Sequence, residues 1–464
     1  MFGLDLIQIA EKIQGQLLQG EGKVCPLGAA IDTRKLKKGD LFFALPGTKT
    51  DGHSFLKEAQ EKGACAAVIS RVPEENLLAK DLPLILVQDS EKALQQLAQA
   101  QRQLFSGPVI AITGSTGKTT TKDMLGAILS EKGPVLSTTG NYNNQLGLPL
   151  TILSLEANHW AIVTEMGMRN LGDIDFLAVI ARPTHGIITN IGHTHQEILG
   201  SQEKIAQAKA ELISHIPVTG AMALNIEDKK LLKAWLSNLR CPVQWFAYNP
   251  PADIWIEDIV LNQELSYSYR ICSQKGSAQV TLNIPGRHNI LNSLAAAAIA
   301  SQLGLSFQEI TRGLAQVNLS PMRLEKINIP EKDWVIINDT YNANPVSMCS
   351  ALEVLTTTAG KRRTIAVLGD MYELGDYSET GHRLVGKKAK EQDIAYLITV
   401  GQLARQIAEA AKMENFPEGK IKSCQNNQEA VSYLRDILRP GDVILLKGSR
   451  GVKMEEIVRH LSRL

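Results

Sequence analysis

An excess of charge of either sign is absent from this chain of 464 residues. Its 49 lysines and arginines are nearly balanced by 48 aspartates and glutamates, for a net charge of +1. No basic run is long enough to act as a nucleic-acid-binding arm. Because nucleic acids and anionic membranes attract concentrated positive charge, this balance argues against both as partners.

Long hydrophobic runs are also missing. No run approaches the roughly 20 apolar residues that a membrane-spanning helix needs, so we expect no membrane insertion. The first five residues, MFGLD, lack the basic region and apolar stretch of a secretory leader. The six cysteines are scattered, without CxxC pairs or metal-ligand spacing, as is typical of reduced thiols. Together these absences predict a cytoplasmic protein.

The length of the chain exceeds what one hydrophobic core organises and predicts about three domains. We place an N-terminal domain at 1–106, a central domain at 107–318 and a C-terminal domain at 319–464. The segments at 106–108 and 318–321 are the candidate hinges between them. No repeat of solenoid period and no low-complexity tract is present.

The most specific motif lies at 109–121, which reads VIAITGSTGKTTT. An apolar run that predicts a buried strand leads into a glycine-rich turn and then a helical pattern. Glycines let backbone N–H groups approach phosphate oxygens, and a helix N-terminus favours anions. Lys118 can reach the β- and γ-phosphates, and the hydroxyl of Thr119 or Thr120 can bind Mg²⁺. A nucleotide phosphate site is therefore predicted, although Ile112 stands where the general GxxxxGK[ST] pattern has glycine.

Predicted strands that end in polar side chains recur after this motif. In the central segment such strands lead to Glu165 and to the pair His193 and His195, and in the last third to Asp339 and 447–449. Strands separated by helices predict mostly parallel sheets, in which ligands bind at the carboxyl ends of the strands. We expect an α/β protein of three domains. A central P-loop parallel-sheet ATPase domain is flanked by a small N-terminal α/β domain and a C-terminal Rossmann-like domain.

Each candidate residue also has a purely structural interpretation. Glu165 and His195 suit Mg²⁺ beside phosphates, but either alone could cap a turn or lie in an ordinary loop. Asn289 and Asn292 open an alanine-rich helix and could bind a purine or cap that helix. Lys209 lies in a predicted helix and is, on composition alone, an ordinary surface lysine.

Three loops in the last third hold more polar side chains than a connection requires. They lie at 339–345, 369–375 and 447–451. Within the last of them, Lys447 and Arg450 are well suited to a carboxylate or a phosphate. A solvated loop is the alternative for each.

Taken together, these motifs resemble those of the Mur ligase family, ATP-dependent amide-forming enzymes of peptidoglycan synthesis. The similarity spans nearly the whole chain, and the short phosphate loop is the form that this family uses. The matching stretches are TGSTGKTT (113–120), NNQLG (143–147), TEMG (164–167), NIGHTH (190–195), Lys209, GRHN (286–289), MRLE (322–325) and KGSR (447–450).

Three further stretches favour one branch of this family. YNANP at 341–345, LGDMYELG at 368–375 and NYNNQ at 141–145 resemble the branch that adds D-alanyl-D-alanine (D-Ala-D-Ala) to UDP-N-acetylmuramoyl-tripeptide. The branch that adds the third residue would show a His-Thr-Pro-type loop at 341–345 and a DNPR-like motif, and neither is found. The resemblance therefore implies these two substrates, and we expect a monomer.

The resemblance also implies roles for individual residues. Lys209 matches a lysine that family members carry as a carbamate, an anion able to orient a metal. The implied Mg²⁺ ligands are Thr119, Glu165, His195 and Lys209, and the last three form the implied catalytic set with Lys118. The implied ATP contacts are Gly114, Ser115, Thr116, Gly117, Lys118, Thr119, Thr120, Asn289, Asn292, Arg323 and Asp339. The implied substrate contacts are Asp32, Thr33 (where serine is usual) and Arg34 for the UDP moiety, with Asn342, Asn344, Lys447 and Arg450.

In the implied reaction, ATP phosphorylates a carboxylate, and an amine then attacks the acyl phosphate. Contacts of the third domain with the nucleotide imply that the domains close on binding. Two alternatives stay open. Another Mur-type or folylpolyglutamate-type ligase would use a different amino acceptor, and a P-loop NTPase switch would turn over ATP without any acceptor.

Overall fold

A computed structural model describes residues 3–47, 50–72, 81–262 and 266–463. The chain passes in order through three separate sheets of five, nine and six strands. This architecture confirms the expected three-domain α/β fold. The terminal residues Met1, Phe2 and Leu464 of the predicted outer domains lie outside the described residues, and the two domain boundaries remain predictions. No described helix is long and apolar enough to cross a membrane.

The N-terminal domain has a sheet in the order β1-β5-β4-β3-β2, in which only the β1–β5 pair is antiparallel. Its strands are β1 (Gln16–Gln19), β2 (Gly28–Ala30), β3 (Asp40–Phe43), β4 (Ala66–Ile69) and β5 (Leu84–Leu86), and its helices are α1 (Leu6–Lys12), α2 (Leu56–Glu61) and α3 (Ser90–Gln103). The fully buried strands β3 and β4 form its core.

The central sheet has the order β14-β13-β12-β11-β10-β9-β6-β8-β7. It is parallel from β7 to β12 and continues as an antiparallel meander through β14. The strands are β6 (Val109–Thr113), β7 (Val135–Ser137), β8 (Ala161–Glu165), β9 (His185–Ile188), β10 (Ala221–Asn225), β11 (Val243–Phe246), β12 (Ile254–Leu261), β13 (Tyr267–Ser273) and β14 (Gly276–Leu282). The helices are α4 (Lys118–Leu129), α5 (Gly147–Leu153), α6 (Asp173–Ala181), α7 (Gln196–Leu199), α8 (Gln202–Ser214), α9 (Lys229–Leu236), α10 (His288–Gln302) and α11 (Phe307–Ala315).

The C-terminal sheet has the order β15-β16-β20-β17-β18-β19 and is parallel except for the edge strand β15. Its strands are β15 (Glu325–Ile329), β16 (Trp334–Asp339), β17 (Thr364–Gly369), β18 (Tyr396–Val400), β19 (Ile421–Cys424) and β20 (Val443–Lys447). Its helices are α12 (Pro345–Ala359), α13 (Ser378–Glu391), α14 (Arg405–Met413), α15 (Asn427–Ile437) and α16 (Glu455–Leu461). Apolar clusters on both faces of this sheet explain why its middle strands are hydrophobic throughout.

A buried arginine joins the last helix of the N-terminal domain to the central domain. Arg102 on α3 donates hydrogen bonds to the backbone oxygens of Ala181 (2.6 Å), Phe105 (2.7 Å) and Arg182 (2.8 Å). Ala181 is the last residue of α6, where carbonyl groups lack partners within the helix and attract a cation. Burial lowers the pKa of Arg102 to about 10, which still leaves the guanidinium charged at neutral pH.

Replacement of Arg102 by alanine is expected to destabilise the protein by about 2–4 kcal/mol, because buried carbonyl groups lose their donors. The measurement is the midpoint of the first unfolding transition in urea, since three domains need not unfold together. Arg459→Ala is the control, because that side chain is 65% exposed and its one ion pair among the described residues, with Glu455, is long at 3.7 Å. Equal midpoints for the two variants would contradict the prediction.

Candidate active site

The phosphate loop lies where the chain switches direction across the central sheet. From β6 the chain continues to strands on one side, β7 and β8, and then to β9 on the other side. Such a switch leaves a crevice at the carboxyl end of the central strand, where ligands bind in open α/β sheets. Gly114 (φ +151°) and Gly117 (φ +80°) flank the loop, and a Cβ at either would overlap Thr189 or Asn292. Only glycine fits both positions.

The residues that follow β9 hold the loop in place. Asn190 accepts a hydrogen bond from the backbone N–H of Thr116 (3.0 Å) and donates to the Thr116 backbone oxygen (3.2 Å) and hydroxyl (2.8 Å). The hydroxyl of Ser115 accepts from the N–H of Gly192 (2.8 Å). The sequence assigned no role to Asn190, although its position after a strand is the signal that could have found it.

Lys118 is the first residue of α4 and points back into the loop, where its ammonium donates to the Gly114 backbone oxygen (2.7 Å). Burial lowers the pKa of Lys118, with the nearby Glu165 opposing this effect and Arg323 adding to it. A positive group in a loop built to receive phosphate is the arrangement that the motif predicted.

Glu165 ends β8 beside the loop and is only 3% exposed. Its carboxylate accepts a hydrogen bond from the Thr119 hydroxyl (2.6 Å) and another from the Asn143 amide (2.7 Å). The interpretation of Glu165 as a turn cap is therefore wrong. Sequence reasoning gave Asn143 no role, and it missed Thr138, whose hydroxyl accepts from the Glu165 N–H (3.0 Å).

Arg323 reaches the same hydroxyl from the C-terminal domain. It donates to Thr119 Oγ1 (2.8 Å), and its guanidinium lies 4.2 Å from the centre of the Tyr341 ring. The flanking residues Met322 (φ +61°) and Leu324 (φ +51°) both have left-handed backbones, which non-glycine residues rarely adopt. Paired outliers of this kind are typical of functional segments, where the surrounding structure compensates for the strain.

His195 lies at the start of α7, with a left-handed backbone (φ +64°). Its Nδ1 is 2.7 Å from Oε2 of Glu373, a C-terminal-domain residue to which the sequence assigned no role. The two atoms are within hydrogen-bonding distance, although the ring N–H is not well aligned on this oxygen. Contact with His195, reinforced by the charge of Arg169, lowers the pKa of Glu373 against the opposing effect of its burial.

Lys209 on α8 is 1% exposed, so its interpretation as a surface lysine is wrong. Burial and the charge of Lys118 lower its pKa far below the usual value, and only Asp228 opposes this. Among the described residues, Lys209 has no hydrogen-bond partner and no ion pair. Burial raises the pKa of Asp228 to about 7, and that carboxyl accepts from the N–H of Ile191 (3.0 Å).

The two asparagines of α10 are buried next to the phosphate loop. Asn292 donates to Asn289 (2.9 Å), and Asn289 donates to the Pro285 backbone oxygen (2.8 Å). The capping alternative is wrong, because Arg287 holds the N-cap position and no side chain caps this helix. Asn292 instead packs against Gly117.

Some of the C-terminal candidate residues have side chains that contact other residues of the domain, and others have exposed side chains. Lys447 is buried, and its ammonium donates to Asp339 (2.6 Å) and to the Asn342 backbone oxygen (2.9 Å). Asn344 is the N-cap of α12, with its side-chain oxygen on the Ser347 N–H (2.9 Å). The polar atoms of Lys447, Asp339 and Asn344 contact other residues of this domain, and their direct contacts with a ligand remain predictions.

The exposed side chains of Asn342 and Arg450 stay available to a ligand in this domain. Arg450 is half exposed and lies 3.2 Å from Glu455. Its Nη1 is also 3.2 Å from Met322 Sδ, beside Arg323. The Arg450 side chain therefore borders the segment that reaches the phosphate loop.

The N-terminal candidates lie near the central domain. Asp32 pairs with Arg34 (2.7 Å), a hydrogen bond that lowers the pKa of Asp32 to about 2, while Arg34 itself is largely exposed. The Thr33 hydroxyl is buried and donates to Glu58 (2.9 Å), so it acts within the domain. Lys35 donates to the hydroxyl of Tyr142 (3.1 Å), beside Asn143 and the Glu165 site.

The donor atoms of this site suit a hard divalent cation. No group of three or more His, Cys, Asp or Glu side chains in the described ranges could hold a metal alone. Mg²⁺ does not need one, because it usually binds one or two carboxylates together with phosphate oxygens and water. Thr119 and Glu165 supply hydroxyl and carboxylate oxygens beside the phosphate loop, so the residues present fit this ion.

Comparisons with known families cover most of the chain. Residues 112–300 match the family model described as Mur ligase middle domain. Residues 322–450 match the model described as Mur ligase, glutamate ligase domain, and residues 28–102 match the Mur ligase family, catalytic domain.

Individual relatives are similar over the full length. UDP-N-acetylmuramoyl-tripeptide–D-alanyl-D-alanine ligase of Bacillus subtilis (strain 168) is 38% identical, over 98% of this chain and 97% of the relative. The crystal structure of MurF from Acinetobacter baumannii has a TM-score of 0.85 and 32% identity, over 99% of this chain and 98% of that one. MurF ligase from Thermotoga maritima in complex with ADP has a TM-score of 0.78 and 28% identity, over 94% of this chain and 97% of that one.

Proposed function

Because the chain belongs to the Mur ligase family, we propose that it joins UDP-N-acetylmuramoyl-tripeptide to D-Ala-D-Ala at the expense of ATP, a step of peptidoglycan synthesis. The relatives with this name match over the full length of the chain. The observation that carries the proposal is the Thr119 hydroxyl, which contacts Glu165 of the central domain and Arg323 of the C-terminal domain.

The chemistry explains why such a site is needed. A carboxylate is a poor acyl donor, because oxide is not a leaving group. Transfer of the ATP γ-phosphoryl group to the carboxylate oxygen gives ADP and an acyl phosphate. The neutral amine of D-Ala-D-Ala attacks the acyl carbon, loses its proton, and the C–O bond to phosphate breaks to leave the amide. Catalysis of phosphoryl transfer rests mainly on alignment and on neutralising negative charge.

Individual residues meet these demands. Lys118 and the loop of Gly114, Ser115, Thr116 and Gly117 would cradle the β- and γ-phosphates at the start of α4, with the N–H groups of Ser115 and Thr116 held by Asn190 in this structure. Arg323 would neutralise charge on the transferring group once the C-terminal domain is docked. Asn292 lies against Gly117 and is hydrogen-bonded to Asn289, so these two side chains would contact the nucleoside. Thr120 follows Thr119 on the same helix turn.

Mg²⁺ would be held by Thr119 and Glu165, and a second ion by His195 and a carbamate on Lys209. When bound, the ions polarise phosphoryl and carboxylate oxygens and offset their charge. The buried Lys209 supports the carbamate, because burial lowers the pKa of its amine and so favours the neutral form that can take up CO₂. A carbamate would add an anionic oxygen ligand beside His195, where the described residues form no metal-binding group of three or more His, Cys, Asp or Glu.

The outer domains would bind the two substrates. Asp32 and Arg34 form an ion pair that suits the UDP moiety. Thr33, between them, would stabilise this turn through the hydrogen bond from its hydroxyl to Glu58. Asn342 and Arg450 would face D-Ala-D-Ala. The ion pair between Asp339 and Lys447 would set the shape of the loop at 339–345. A cytoplasmic location and a monomeric state remain predictions from the sequence.

The amino acceptor decides between this function and its neighbours. We expect ADP release by the purified chain to require both UDP-N-acetylmuramoyl-tripeptide and D-Ala-D-Ala, with the amide product seen by mass spectrometry. Equal ADP release with meso-diaminopimelate or glutamate would contradict the proposal and indicate a ligase with a different amino acceptor. ATP turnover with no acceptor at all would instead indicate a nucleotide switch.

A further inference from the structure

The contact between the segment around His195 and the loop at 369–377 of the C-terminal domain is not explained by the binding of ATP. Glu373 is the residue at its centre. One carboxylate oxygen lies 2.7 Å from Nδ1 of His195, and the other lies 3.2 Å from Nη2 of Arg169. One side chain from the C-terminal domain thus bridges two residues of the central domain.

The backbones on both sides are shaped for this contact. Glu373 (φ +63°) and His195 (φ +64°) are both left-handed, so two rare conformations face each other across the domain boundary. At Gly375 (φ +53°) an added Cβ would lie 2.7 Å from the Cα of Glu197, so the two backbones nearly touch. Close packing at a glycine on one side of the bridge limits how far Glu373 can move.

Ring contacts and a buried histidine fix the loop further. The Tyr377 ring stacks on the His193 ring at 4.8 Å between centres. Inside the C-terminal domain, the buried His382 accepts a hydrogen bond from the Met371 N–H (3.1 Å) and contacts the Ser378 backbone oxygen (2.7 Å). The loop that carries Glu373 is therefore anchored at both ends.

We propose that Glu373 is a positioning residue, which orients His195 toward a divalent cation only when the C-terminal domain is docked. Metal-binding histidines usually present one ring nitrogen to the ion while a carboxylate holds the other. Here Glu373 is at Nδ1, and no described residue makes a hydrogen bond with Nε2, which is left as the ligand atom. The inference rests on the proposed function, because it assumes that His195 serves a metal.

The consequence is a coupling between domain closure and metal affinity. If the carboxylate that orients His195 comes from the other domain, opening the molecule releases the histidine and weakens the cation site. Binding at that site in turn favours the docked domain, because coupling between two equilibria is reciprocal. The substrate carboxylate would then meet a complete metal site only in the closed molecule.

The test uses full-length Glu373→Gln, which keeps the size of the side chain and removes its charge. Mn²⁺ binding is followed by electron paramagnetic resonance in the presence of a non-hydrolysable ATP analogue. We expect the Mn²⁺ site that is lost in His195→Asn to bind about 10-fold or more weakly in Glu373→Gln. The Mg²⁺ concentration for half-maximal activity should rise by the same factor, while kcat at saturating Mg²⁺ is retained.

Two controls keep the result specific. Glu379→Gln removes a 60%-exposed carboxylate of the same domain, which pairs only with Arg383 on its own helix, and should leave Mn²⁺ binding unchanged. In a His195→Asn background, Glu373→Gln should have no additional effect, because it acts through that histidine.

Unchanged Mn²⁺ affinity in folded Glu373→Gln would overturn the inference, as would an equal loss of affinity at the Mn²⁺ site that remains in the His195→Asn background. The Mn²⁺ measurement needs no amino acceptor. If the acceptor assay fails while Glu373→Gln still weakens the His195-dependent site, the proposed function falls and the coupling stands.

Discussion

The variant Arg323→Ala is expected to lower kcat about 10³-fold, with a much smaller change in the KM for ATP, because an arginine that neutralises a transferring phosphoryl group contributes roughly 10³–10⁵ to the rate. Arg323 contacts Thr119 across the domain boundary. Its charge therefore reaches the phosphate loop only from the C-terminal domain. The measurement is steady-state ADP release with both substrates at saturation.

The geometry around Arg323 supports an effect on the chemical step. The Tyr341 ring and two left-handed neighbours aim the guanidinium, and its Nε is buried without a hydrogen-bond partner among the described residues. A guanidinium that is held in place and still has an unpaired N–H group can stabilise the negative charge that develops during phosphoryl transfer. Arg323→Lys should recover only part of the rate, because lysine cannot reproduce the planar, stacked contact.

Arg312→Ala is the matched control for Arg323→Ala. Arg312 lies on α11, is 58% exposed and pairs with Glu131 at the surface (2.8 Å). Its loss should leave kcat unchanged. If both arginine variants kept full kcat, or if Arg323→Ala changed only the KM for ATP, Arg323 would serve binding and not catalysis.

The variant Lys209→Ala is expected to lower kcat by about 10² to 10³-fold, the cost typical of removing one preorganised charge from an active site. The buried amine has no described counter-ion within hydrogen-bonding distance, and burial lowers its pKa well below the usual value, which favours the neutral form. A neutral amine reacts with CO₂ and releases a proton, so the carbamate should be lost as the pH falls. Carbon-13 NMR with labelled CO₂ measures the modification directly.

Chemical rescue separates a carbamate from a structural lysine. A short-chain carboxylic acid should restore part of the activity of Lys209→Ala, since it can place an anion in the space left by the side chain. Lys204→Ala, on the exposed face of the same helix, should be fully active and unaffected by the acid. Full activity of Lys209→Ala without any acid would refute the role of the carbamate.

Local patterns predicted the elements that carry the phosphates. The apolar run before Gly114, the two glycines and the Lys-Thr pair act through backbone geometry within about ten residues, so neighbouring residues contain that information. The strand end at Glu165 was also predictable, because buried parallel strands are continuous apolar runs and the first polar residue marks the carboxyl end. The pair His193 and His195 lies farther along, in the connection between β9 and α7. The α/β class followed from the same alternation.

The environment of single charged residues was not predictable in this way. Lys209 looks like a surface lysine along α8 and is buried only because the helix packs with that side toward Asp228 and Lys118. Lys447 and Asp339 are 108 residues apart and pair because β16 and β20 are neighbours in the sheet. Asn344 also caps α12, and this contact was not part of the prediction from the sequence.

By itself, then, the sequence determined the three-domain α/β class and the phosphate loop, and its motifs pointed to the family. Periodicity and turn chemistry are local properties that survive without the tertiary fold. The tertiary structure alone decided that Arg323 meets Thr119, that Glu373 meets His195, and that Lys209 is buried without a hydrogen bond or ion pair among the described residues. These contacts join segments from different domains or helices, and their strength depends on burial, which removes competing water and which no local pattern specifies.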